Sequence, residues 1–463
     1  MEKNLSLPED EEFDEENGLS SEAFKSLLHQ LYEGDVNGLQ EEISFMHEAL
    51  VAEFLEKIST EDRKDLLPLI SKSLEPEVFA WLAPEVRQQI LDVLEPKDIG
   101  RIVALLDSDD ALDLISYLDE DLQRQVLSEV SAHTRAMVEQ GLSFPEASAG
   151  RLMQREVVSI PRFWTVGKTL DYLKATADTP DGFYDVFVVD ALHRLVGRLP
   201  LSRLIKNSRS VKLESLADED VHAIDVNLDQ EEVAMRFRRF GLVCAPVVDE
   251  QGVLLGVITV DDIVHVIDEE AGEDILKLGG VVDTDIHSSI LTTSRLRFSW
   301  LFINLLTALL ASWVISFFEE TLTKAVVLAV LMPIVASMGG NAGTQTVTVV
   351  VRALATRDIT DANALRVLYK ELAVGVANGL LFAVLMALCV WAWYGQWRIG
   401  LVMGMAMMVN LLAASLAGTL IPLALDKLRF DPAISSTVFL TTVTDIIGFF
   451  AFLGFASLML SWL

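Results

Sequence analysis

The C-terminal part of the chain contains long stretches without acidic or basic side chains, and these constrain its fold more than any other feature. Four such runs are at least 21 residues long. They are Phe298–Phe318, Ala325–Val351, Leu372–Trp397 and Ile399–Leu425, and a fifth run, Pro432–Leu463, contains one charged residue, Asp445. A helix needs about 20 apolar residues to cross a membrane. The sequence therefore predicts five membrane-spanning helices, because a buried globular core would not supply five such lengths in succession.

The charge of the chain lies in the other part. The chain has 36 basic and 68 acidic side chains, which gives a net charge of −32. Residues 298–463 contain eight of each, so the whole excess belongs to residues 1–297. This balance argues against nucleic acid and anionic lipid as partners, because both require a basic surface. Cys244 and Cys389 fall in different parts, so no disulfide framework is predicted.

The basic residues between the spans orient the membrane part. If the acidic part is cytosolic, eight of these bases lie inside and two outside, which obeys the positive-inside rule. The inner ones are Arg295, Arg297, Arg352, Arg357, Arg366, Lys370, Lys427 and Arg429, and the outer ones are Lys324 and Arg398. We therefore expect a multi-pass protein of the cytoplasmic (inner) membrane with its N-terminus in the cytosol and its C-terminus outside.

The second span has an unusual polar segment. After Pro333 it reads Ser-Met-Gly-Gly-Asn-Ala-Gly-Thr-Gln-Thr over residues 337–346, a poor interior for a helix. Backbone freed by glycine or proline is tolerated in a membrane where it is buried or lines a wet cavity. Close packing of small residues is the alternative. Asn341 and Gln345, four residues apart, favour a pore-facing stretch with exposed carbonyl oxygens.

The fifth span carries a carboxylate, Asp445, beside Thr441, Thr442 and Thr444. An ionised aspartate inside a membrane costs a few kcal/mol or more, so it should face water or a cation unless it is a protonated hydrogen-bonding strut. Carboxylate, carbonyl and hydroxyl oxygens suit magnesium or calcium, and magnesium keeps much of its water. One Asp per chain is few, which favours a homodimer whose two-fold axis brings two copies of Asp445 together.

Residues 21–145 predict an all-α, acidic helical repeat. A turn residue or proline precedes an amphipathic stretch every twelve residues, at Leu82–Glu85, Leu94–Lys97, Leu106–Asp109 and Leu118–Asp121. Helices this short bury their apolar faces by stacking into a small superhelix. The first residues, 1–20, are predicted to be a disordered acidic tail.

Residues 146–270 predict an α+β pair of repeats. Strands at Phe183–Val189 and Leu195–Arg198 precede a helix at Leu201–Ile205, and the pattern recurs at Leu242–Val248, Leu254–Val260 and Asp261–Asp268. The second copy resembles the cystathionine-β-synthase (CBS) domain, in which a Thr and an Asp contact the ribose of adenine nucleotides. The resemblance places them at Thr259 and Asp262 and makes ATP the candidate ligand. Helix capping explains the motif about as well, and the first copy lacks it.

Taken together, the fold expected is multidomain: the helical N-domain, the tandem CBS pair, a connecting helix within residues 271–297, and a five-span α-helical membrane domain over residues 298–463. Over nearly the whole chain this resembles the MgtE family of magnesium channels. Pro333 with Gly-Gly-Asn-Ala-Gly-Thr-Gln, Asp431-Pro432-Ala433 and Thr-Thr-x-x-Asp445-x-x-Gly448 carry the resemblance. It implies a homodimeric pore in which Asp445 recognises hydrated Mg²⁺ and the Gly339, Gly340, Asn341 and Ala342 backbone forms the mouth around it.

The resemblance also implies a magnesium sensor in the acidic part, where bound ions hold the channel closed. A charge of −32 per chain fits such a role, because it repels itself unless cations neutralise it. The positions carried over are Asp109 and Asp113 in the helical domain, Asp229, Glu231 and Asp262 in the second CBS copy, and Glu270, Glu273 and Asp274 at the start of the connecting helix.

The sequence departs from the family in three places. His265 replaces an acid in the helix after Asp262, Met46–Leu50 lacks a Pro-Ala-Asp ending, and Ser435-Ser436-Thr437 replaces Ser-Gly-Pro. The first two changes affect the sensor, where His265 adds a candidate pH input. The third affects the entry of the fifth span and so the ion selectivity.

The expected function is a magnesium-selective channel closed by cytosolic Mg²⁺, and not an enzyme, since no Walker loop, nucleophile elbow or zinc spacing appears. Two alternatives remain. A secondary carrier would couple Mg²⁺, Co²⁺ or Mn²⁺ to a H⁺ or Na⁺ gradient, but the charge-free runs offer no second acid for the coupled ion. A membrane-anchored CBS adenylate sensor would need one span and no buried Asp.

Overall fold

A computed structural model describes residues 18–70, 74–176, 179–180, 182–281 and 290–460. The chain divides into two units, residues 1–267 and 268–463, called here the acidic unit and the membrane unit. Most of the predicted acidic tail and residues 282–289 of the predicted connecting segment lie outside the described residues.

Ten short helices form the first half of the acidic unit, and the twelve-residue repeat is confirmed in it. The helices α6 to α9 begin at residues 84, 96, 108 and 120. Prolines open α6 and α7, while Asp119 caps α9 by accepting the N–H groups of Asp121 and Leu122. The helices are α1 Ser21–Glu33, α2 Val36–Ser44, α3 Glu48–Lys57, α4 Thr60–Ile70, α5 Val78–Trp81, α6 Pro84–Leu91, α7 Pro96–Val103, α8 Ser108–Ser116, α9 Glu120–Glu129 and α10 Ala132–Leu142.

One apolar core runs through this helical domain. It extends from Leu27 in α1 to Val138 in α10, and it includes fully buried Phe54, Leu66 and Ile90. Because none of the helices described in this domain exceeds 13 residues, each depends on its neighbours for burial of its apolar face. The stacking determines the position of each turn between helices. One of these turns, at the start of α8, carries the acids discussed below.

Two three-stranded sheets of the same order form the CBS pair. In each, a short strand pairs parallel with the middle strand, which pairs antiparallel with the third. Backbone hydrogen bonds between residues 193–195 and 252–254 join the copies. The elements are α11 Ala149–Leu152, β1 Ser159–Pro161, α12 Val166–Ala175, β2 Asp185–Val189, β3 Leu195–Pro200, α13 Leu201–Lys206, β4 Ile224–Asp225, α14 Gln230–Phe240, β5 Cys244–Val248 and β6 Leu254–Thr259. The predicted repeat is confirmed in both copies.

The helix that follows β6 is longer than the sequence predicted. Instead of one helix ending at Asp268 and another starting near Ala271, a single helix, α15, runs over Val260–Leu278. No glycine with positive φ or proline interrupts it, since Gly272 keeps helical geometry and Gly280, with φ +73°, ends it. The predicted boundary at residues 270 and 271 therefore falls inside a helix.

The membrane unit contains five helices long and apolar enough to cross a membrane, as predicted. They are α16 Ile290–Ser316, α18 Val327–Ala355, α19 Ala364–Tyr394, α20 Trp397–Lys427 and α21 Pro432–Leu460, with a short helix, α17 Glu319–Lys324, between the first two. The fourth span, α20, is the most buried and packs against α18, α19 and α21. The helices α18, α19 and α21, which carry the polar residues discussed below, therefore all pack against α20.

Candidate cation sites

Five aspartates come together where the helical domain meets the CBS pair within the acidic unit. Asp107, Asp109 and Asp110 lie at the start of α8, and Asp261 and Asp262 lie at the start of α15; these five form the acid cluster. Electrostatic repulsion acts between the two groups, from Asp262 on Asp109 and Asp110 and from Asp261 on Asp107. The cluster thus brings together two carried-over candidates and three acids that the sequence analysis missed.

Asp109 is the most buried acid of the cluster. It is 8% exposed, and its Oδ1 has no hydrogen-bond partner among the described residues. Burial, followed by repulsion from Asp262, raises the pKa of the Asp109 carboxyl well above its usual range. A buried acceptor without a partner costs about 1–3 kcal/mol. The arrangement is thus unfavourable when the carboxylates are ionised, unless a cation or a proton neutralises them.

The carboxyls of Asp110 and Asp262, close to Asp109, also have raised pKa values. Burial and repulsion from Asp262 raise the pKa of Asp110 to about 7. Burial and repulsion from Asp261 raise the pKa of Asp262 to about 6, although the Thr259 hydroxyl donates a hydrogen bond to its Oδ2 at 2.9 Å. These carboxyls have hard oxygen atoms suited to Mg²⁺.

No group of three or more His, Cys, Asp or Glu at metal-binding spacing occurs among the residues described. A divalent ion at the acid cluster would therefore be held largely through its own water, as Mg²⁺ commonly is. The chemistry of the cluster fits such an ion, because its negative charge is concentrated and the Asp109 Oδ1 is open to a donor.

The remaining sensor candidates have other partners. Asp113 forms an ion pair at 2.8 Å with the buried Arg87. Asp229 caps α14 by accepting the N–H of Glu231 at 3.0 Å, so its side chain acts in helix capping. Glu231 is in the first turn of α14, and Glu270 is inside α15.

A second charged group lies in the membrane unit, where α15 meets the start of α21. Lys277 contacts Glu273 at 2.5 Å and Asp431 at 2.7 Å. Burial opposes the charge of Lys277, but its hydrogen bonds to Asp431 and Glu273 outweigh burial and raise its pKa. Burial and then repulsion from Asp431 raise the pKa of Asp274. Glu273 and Asp274 thus share a site with a lysine that already supplies positive charge.

The two departures from the family pattern at His47 and His265 meet at one tryptophan. The Trp81 ring lies edge-on to the His265 ring at 5.3 Å and to the His47 ring at 6.1 Å. His47 also caps α3, since its Nδ1 accepts the N–H of Ala49 at 3.2 Å. Where the resemblance implies carboxylates, this chain therefore has an aromatic contact between the helical domain and α15.

A cavity of about 580 Å³ lies in the CBS pair. Thr259 and Asp261 line it, together with Tyr184 and the buried Asp185 and Cys244. Asp262, predicted as a ribose contact, is not among the residues that line this cavity, and its Oδ2 accepts a hydrogen bond from the Thr259 hydroxyl at 2.9 Å.

The glycine-rich segment of the second span is helical, contrary to the expectation of exposed carbonyl oxygens. The helix α18 continues through residues 339–343, and the Gly340 carbonyl accepts the Thr344 hydroxyl at 2.9 Å. The close-packing alternative explains Gly339 and Gly343: a Cβ at residue 339 would overlap the Asn410 amide, and one at residue 343 would lie 2.6 Å from Leu440.

Asn410 is a buried polar residue that the sequence analysis missed. It is fully buried on α20, and its Nδ2 donates to the Val335 carbonyl at 2.8 Å. It also packs on Gly448 of α21, where a Cβ would lie 2.7 Å from the amide. Asn410 thereby spaces α18 from α21, one turn from Asp445. The contacts of Asn410 with Gly339 and Gly448 join residues far apart in the sequence, so no local sequence pattern could identify them.

The other face of α18 is polar and exposed. Asn341 and Gln345 lie on it, as predicted, with Ser337, Thr344 and Thr348. The Thr344 and Thr348 hydroxyls donate to carbonyls one turn earlier, which leaves their oxygens free to accept. Gly340 and Ala342 are partly buried beside this face. A polar face of this kind fits a wet surface better than hydrocarbon.

Asp445 is the fourteenth of 29 residues in α21. It is partly buried, and it has no hydrogen bond or ion pair with another described residue. The hydroxyls of Thr441, Thr442 and Thr444 donate to carbonyls of their own helix. Thr444 is fully buried, while the oxygens of the partly buried Thr441 and Thr442 stay available as acceptors. The unpaired carboxylate at mid-span is therefore a candidate site for a cation and its water.

Comparison with known proteins agrees with both units. Residues 332–455 match the MgtE divalent cation transporter family, residues 46–147 match the MgtE intracellular N domain, and residues 213–269 match the CBS domain. A solved structure described as the cytosolic domain of the Mg²⁺ channel MgtE in complex with ATP is similar, with 31% identity and a TM-score of 0.49, over 52% of this chain and 99% of that one.

Two full-length relatives are similar over almost the whole chain. The magnesium transporter MgtE of Thermus thermophilus is 33% identical over 443 residues, which cover 94% of this chain and 98% of that protein. The magnesium transporter MgtE of Bacillus subtilis is 30% identical over 435 residues, 94% of this chain and 93% of that protein. The chain therefore belongs to the MgtE family of magnesium transporters.

Proposed function

We propose that the protein is a magnesium-selective channel of the cytoplasmic membrane, with Asp445 as the residue that recognises hydrated Mg²⁺. The observation that carries this proposal is the isolated carboxylate at the middle of α21, with the partly buried hydroxyls of Thr441 and Thr442 about one turn before it on the same helix. Its charge attracts a divalent cation, while the neutral oxygens accept hydrogen bonds from the waters of that ion. Asn341 and the polar face of α18 extend this lining.

The proposed pore is homodimeric. A single carboxylate compensates half the charge of Mg²⁺, and a two-fold axis along the pore would supply the second copy of Asp445. The same axis would place two polar faces of α18 around the path. The positive-inside rule supports a cytosolic N-terminus and an outer C-terminus.

Gating is proposed to reside in the acid cluster. When cytosolic Mg²⁺ is abundant, an ion near Asp109 and Asp262 neutralises the repulsion between α8 and α15, and the helical domain stays against the CBS pair. When Mg²⁺ is scarce, the carboxylates repel one another and this contact weakens. Because α15 continues to Leu278, which packs with Val347 and Leu440, a change at its start reaches the spans. Glu273 and Asp274 near its end are the second candidate place for a regulatory ion.

ATP is proposed as a further ligand, at the cavity of the CBS pair. Its volume of about 580 Å³ is within the range of small-molecule sites, about 300–1,000 Å³. Thr259 and Asp261 line the cavity beside the acid cluster, so a nucleotide there would add phosphate charge close to the proposed sensor. This arrangement predicts that ATP and Mg²⁺ bind cooperatively.

The experiment that tests the channel is Mg²⁺ flux into proteoliposomes. Asp445→Ala should reduce the flux to the level of empty liposomes, whereas Glu320→Gln, an exposed acid of α17, should leave it unchanged. Equal flux in wild type and Asp445→Ala would refute the assignment. Flux that requires a proton or sodium gradient at equal Mg²⁺ concentrations would favour a secondary carrier.

A further inference from the structure

A small cavity with several polar side chains lies between α18, α19 and α20, and it is partly open to the surface of the membrane unit. Its volume is about 140 Å³. Its lining includes a carboxylate, two amides and two hydroxyls, from Glu371, Asn378, Gln345, Ser415 and Thr346. Five polar groups around one cavity are unusual where hydrocarbon surrounds the helices, because unsatisfied polar groups cost several kcal/mol there.

The cavity extends from Glu371, at the edge of the apolar part of α19, to Asn378 near the middle of that helix. Glu371 lies seven residues, or about 10 Å, into α19, and Ser415 lies twelve residues, or about 18 Å, before the end of α20. Glu371 directly precedes the charge-free run that begins at Leu372, which is why the sequence analysis found no second acid in the spans. The helix itself starts earlier, at Ala364, and therefore includes the acid.

Glu371 has no ion pair or hydrogen bond with any other residue that the structure describes. The neighbouring base, Lys370, projects about 100° away around the helix. An ionised carboxylate in a membrane span is costly unless it is paired with a cation or water, and such residues mark functional sites. The amide oxygens of Asn378 and Gln345 and the hydroxyl oxygens of Ser415 and Thr346 complete a set of hard, neutral ligands for that cation.

We propose that this cavity is a second cation site, separate from Asp445, and that it binds a monovalent cation such as Na⁺. One carboxylate with neutral oxygens balances a single positive charge. The cavity is open on one side, so a monovalent ion there keeps part of its water while the carboxylate balances its charge.

A glycine creates the geometry of this site. Gly375 lies one turn after Glu371, and a Cβ there would overlap the Ser415 hydroxyl. The glycine therefore allows α19 to approach α20 closely enough for Ser415 to reach the cavity. Ala342 and Gln345 place the site against α18, beside the polar face that also carries Asn341. Occupancy of the cavity thus acts directly on the second span.

The test is ²²Na⁺ binding to the full-length purified protein in nanodiscs. Wild type should bind one Na⁺ per chain saturably. Glu371→Gln, which keeps the shape and removes the charge, should weaken binding by about tenfold or more, and Asn378→Leu should weaken it severalfold. Glu320→Gln is the matched control and should bind as wild type does. Asp445→Asn should also keep Na⁺ binding, so a failure of the pore assignment is distinguishable from a failure of this site.

Two further measurements, elution and Mg²⁺ flux, show whether a variant that loses Na⁺ binding is still folded. Each variant should elute as wild type does. With equal Na⁺ on both sides of the membrane, so that no sodium gradient drives transport, Mg²⁺ flux down a Mg²⁺ gradient should change with the Na⁺ concentration in wild type but not in Glu371→Gln. The proposal is overturned if Glu371→Gln binds Na⁺ as tightly as wild type, or if wild type shows no saturable Na⁺ binding. Binding of Mn²⁺, detected by electron paramagnetic resonance and lost in Glu371→Gln, would overturn the monovalent assignment.

Discussion

The acid cluster and Asp445 present carboxylates to cations in opposite ways. In the cluster, five aspartates lie close together, and burial and mutual repulsion raise the pKa values of Asp109, Asp110 and Asp262. In α21, one aspartate stands alone among threonine oxygens. The cluster therefore contains repulsion that a bound cation would relieve, as the proposed sensor requires, while the lone carboxylate offers one charged ligand to a passing cation, as the proposed pore requires.

The largest effects are expected from neutralising one carboxylate at each place, because the two variants should change Mg²⁺ flux in opposite ways. Asp445→Asn should abolish Mg²⁺ flux at every Mg²⁺ concentration, because the permeating ion loses its charged ligand. Asp109→Asn should leave flux high even at millimolar Mg²⁺, because closure no longer has its ligand. Flux assays over a Mg²⁺ titration measure both. Asp121→Asn, an exposed acid of the same domain, should behave as wild type. If Asp109→Asn still closed at millimolar Mg²⁺, the proposed difference between the acid cluster as sensor and Asp445 as pore residue would be wrong.

Removing the helical domain and the CBS strands should have a smaller effect, because it abolishes closure but leaves conduction unchanged. Deletion of residues 1–259 keeps α15 intact and should give a channel that conducts at millimolar Mg²⁺ with the same ion selectivity as the full chain. Single-channel recording measures both properties. A truncated protein that still closes would place the sensor within α15 or the membrane unit, for example at Asp274.

A third change tests whether the packing near Asp445 matters independently of charge. Gly339→Ala should destabilise the membrane unit by about 1–3 kcal/mol, because its Cβ would overlap Asn410. Gly340→Ala is the matched control: nothing lies within 4 Å of a Cβ there, so it should be neutral or slightly stabilising. Thermal unfolding in detergent compares them. Equal melting temperatures would show that α18 and α20 pack less closely than described.

The smallest effect concerns pH. Raised pKa values mean that the folded acid cluster favours protonated carboxyls, so without metal its stability is present at low pH and is lost as pH rises through about 6 to 7. In chelator, protease protection of the acidic unit should be several times greater at pH 5.5 than at pH 8. Saturating Mg²⁺ should remove the difference, since it replaces the protons. A pH-independent result would show that the cluster is not strained.

The sequence predicted the features that depend on the length of apolar runs and on the spacing of helix starts. Five charge-free runs located five spans, and the twelve-residue spacing located the starts of α6 to α9. Both follow from local chemistry, since burial in lipid and the start of a helix are each determined by nearby residues.

Pairings between distant residues were beyond such reasoning. The family resemblance placed Asp109 and Asp262 in one sensor, but the involvement of Asp110 and Asp261 depends on how two helix starts meet. Asn410 and Glu371 lie in apolar or interfacial sequence, where nothing nearby indicates their partners. The exposed carbonyls expected at Gly339 were wrong because packing against Asn410, not backbone irregularity, explains that glycine.

The aromatic contact between His47, Trp81 and His265 has an optical consequence. Trp81 and Trp164 are the tryptophans before residue 268, and Trp81 lies where the helical domain meets α15. Indole emission responds to nearby imidazole and to water. With Trp164→Phe, and with the membrane tryptophans as a constant background, the intrinsic fluorescence of Trp81 becomes a native reporter of that contact, readable during a Mg²⁺ titration without any attached dye.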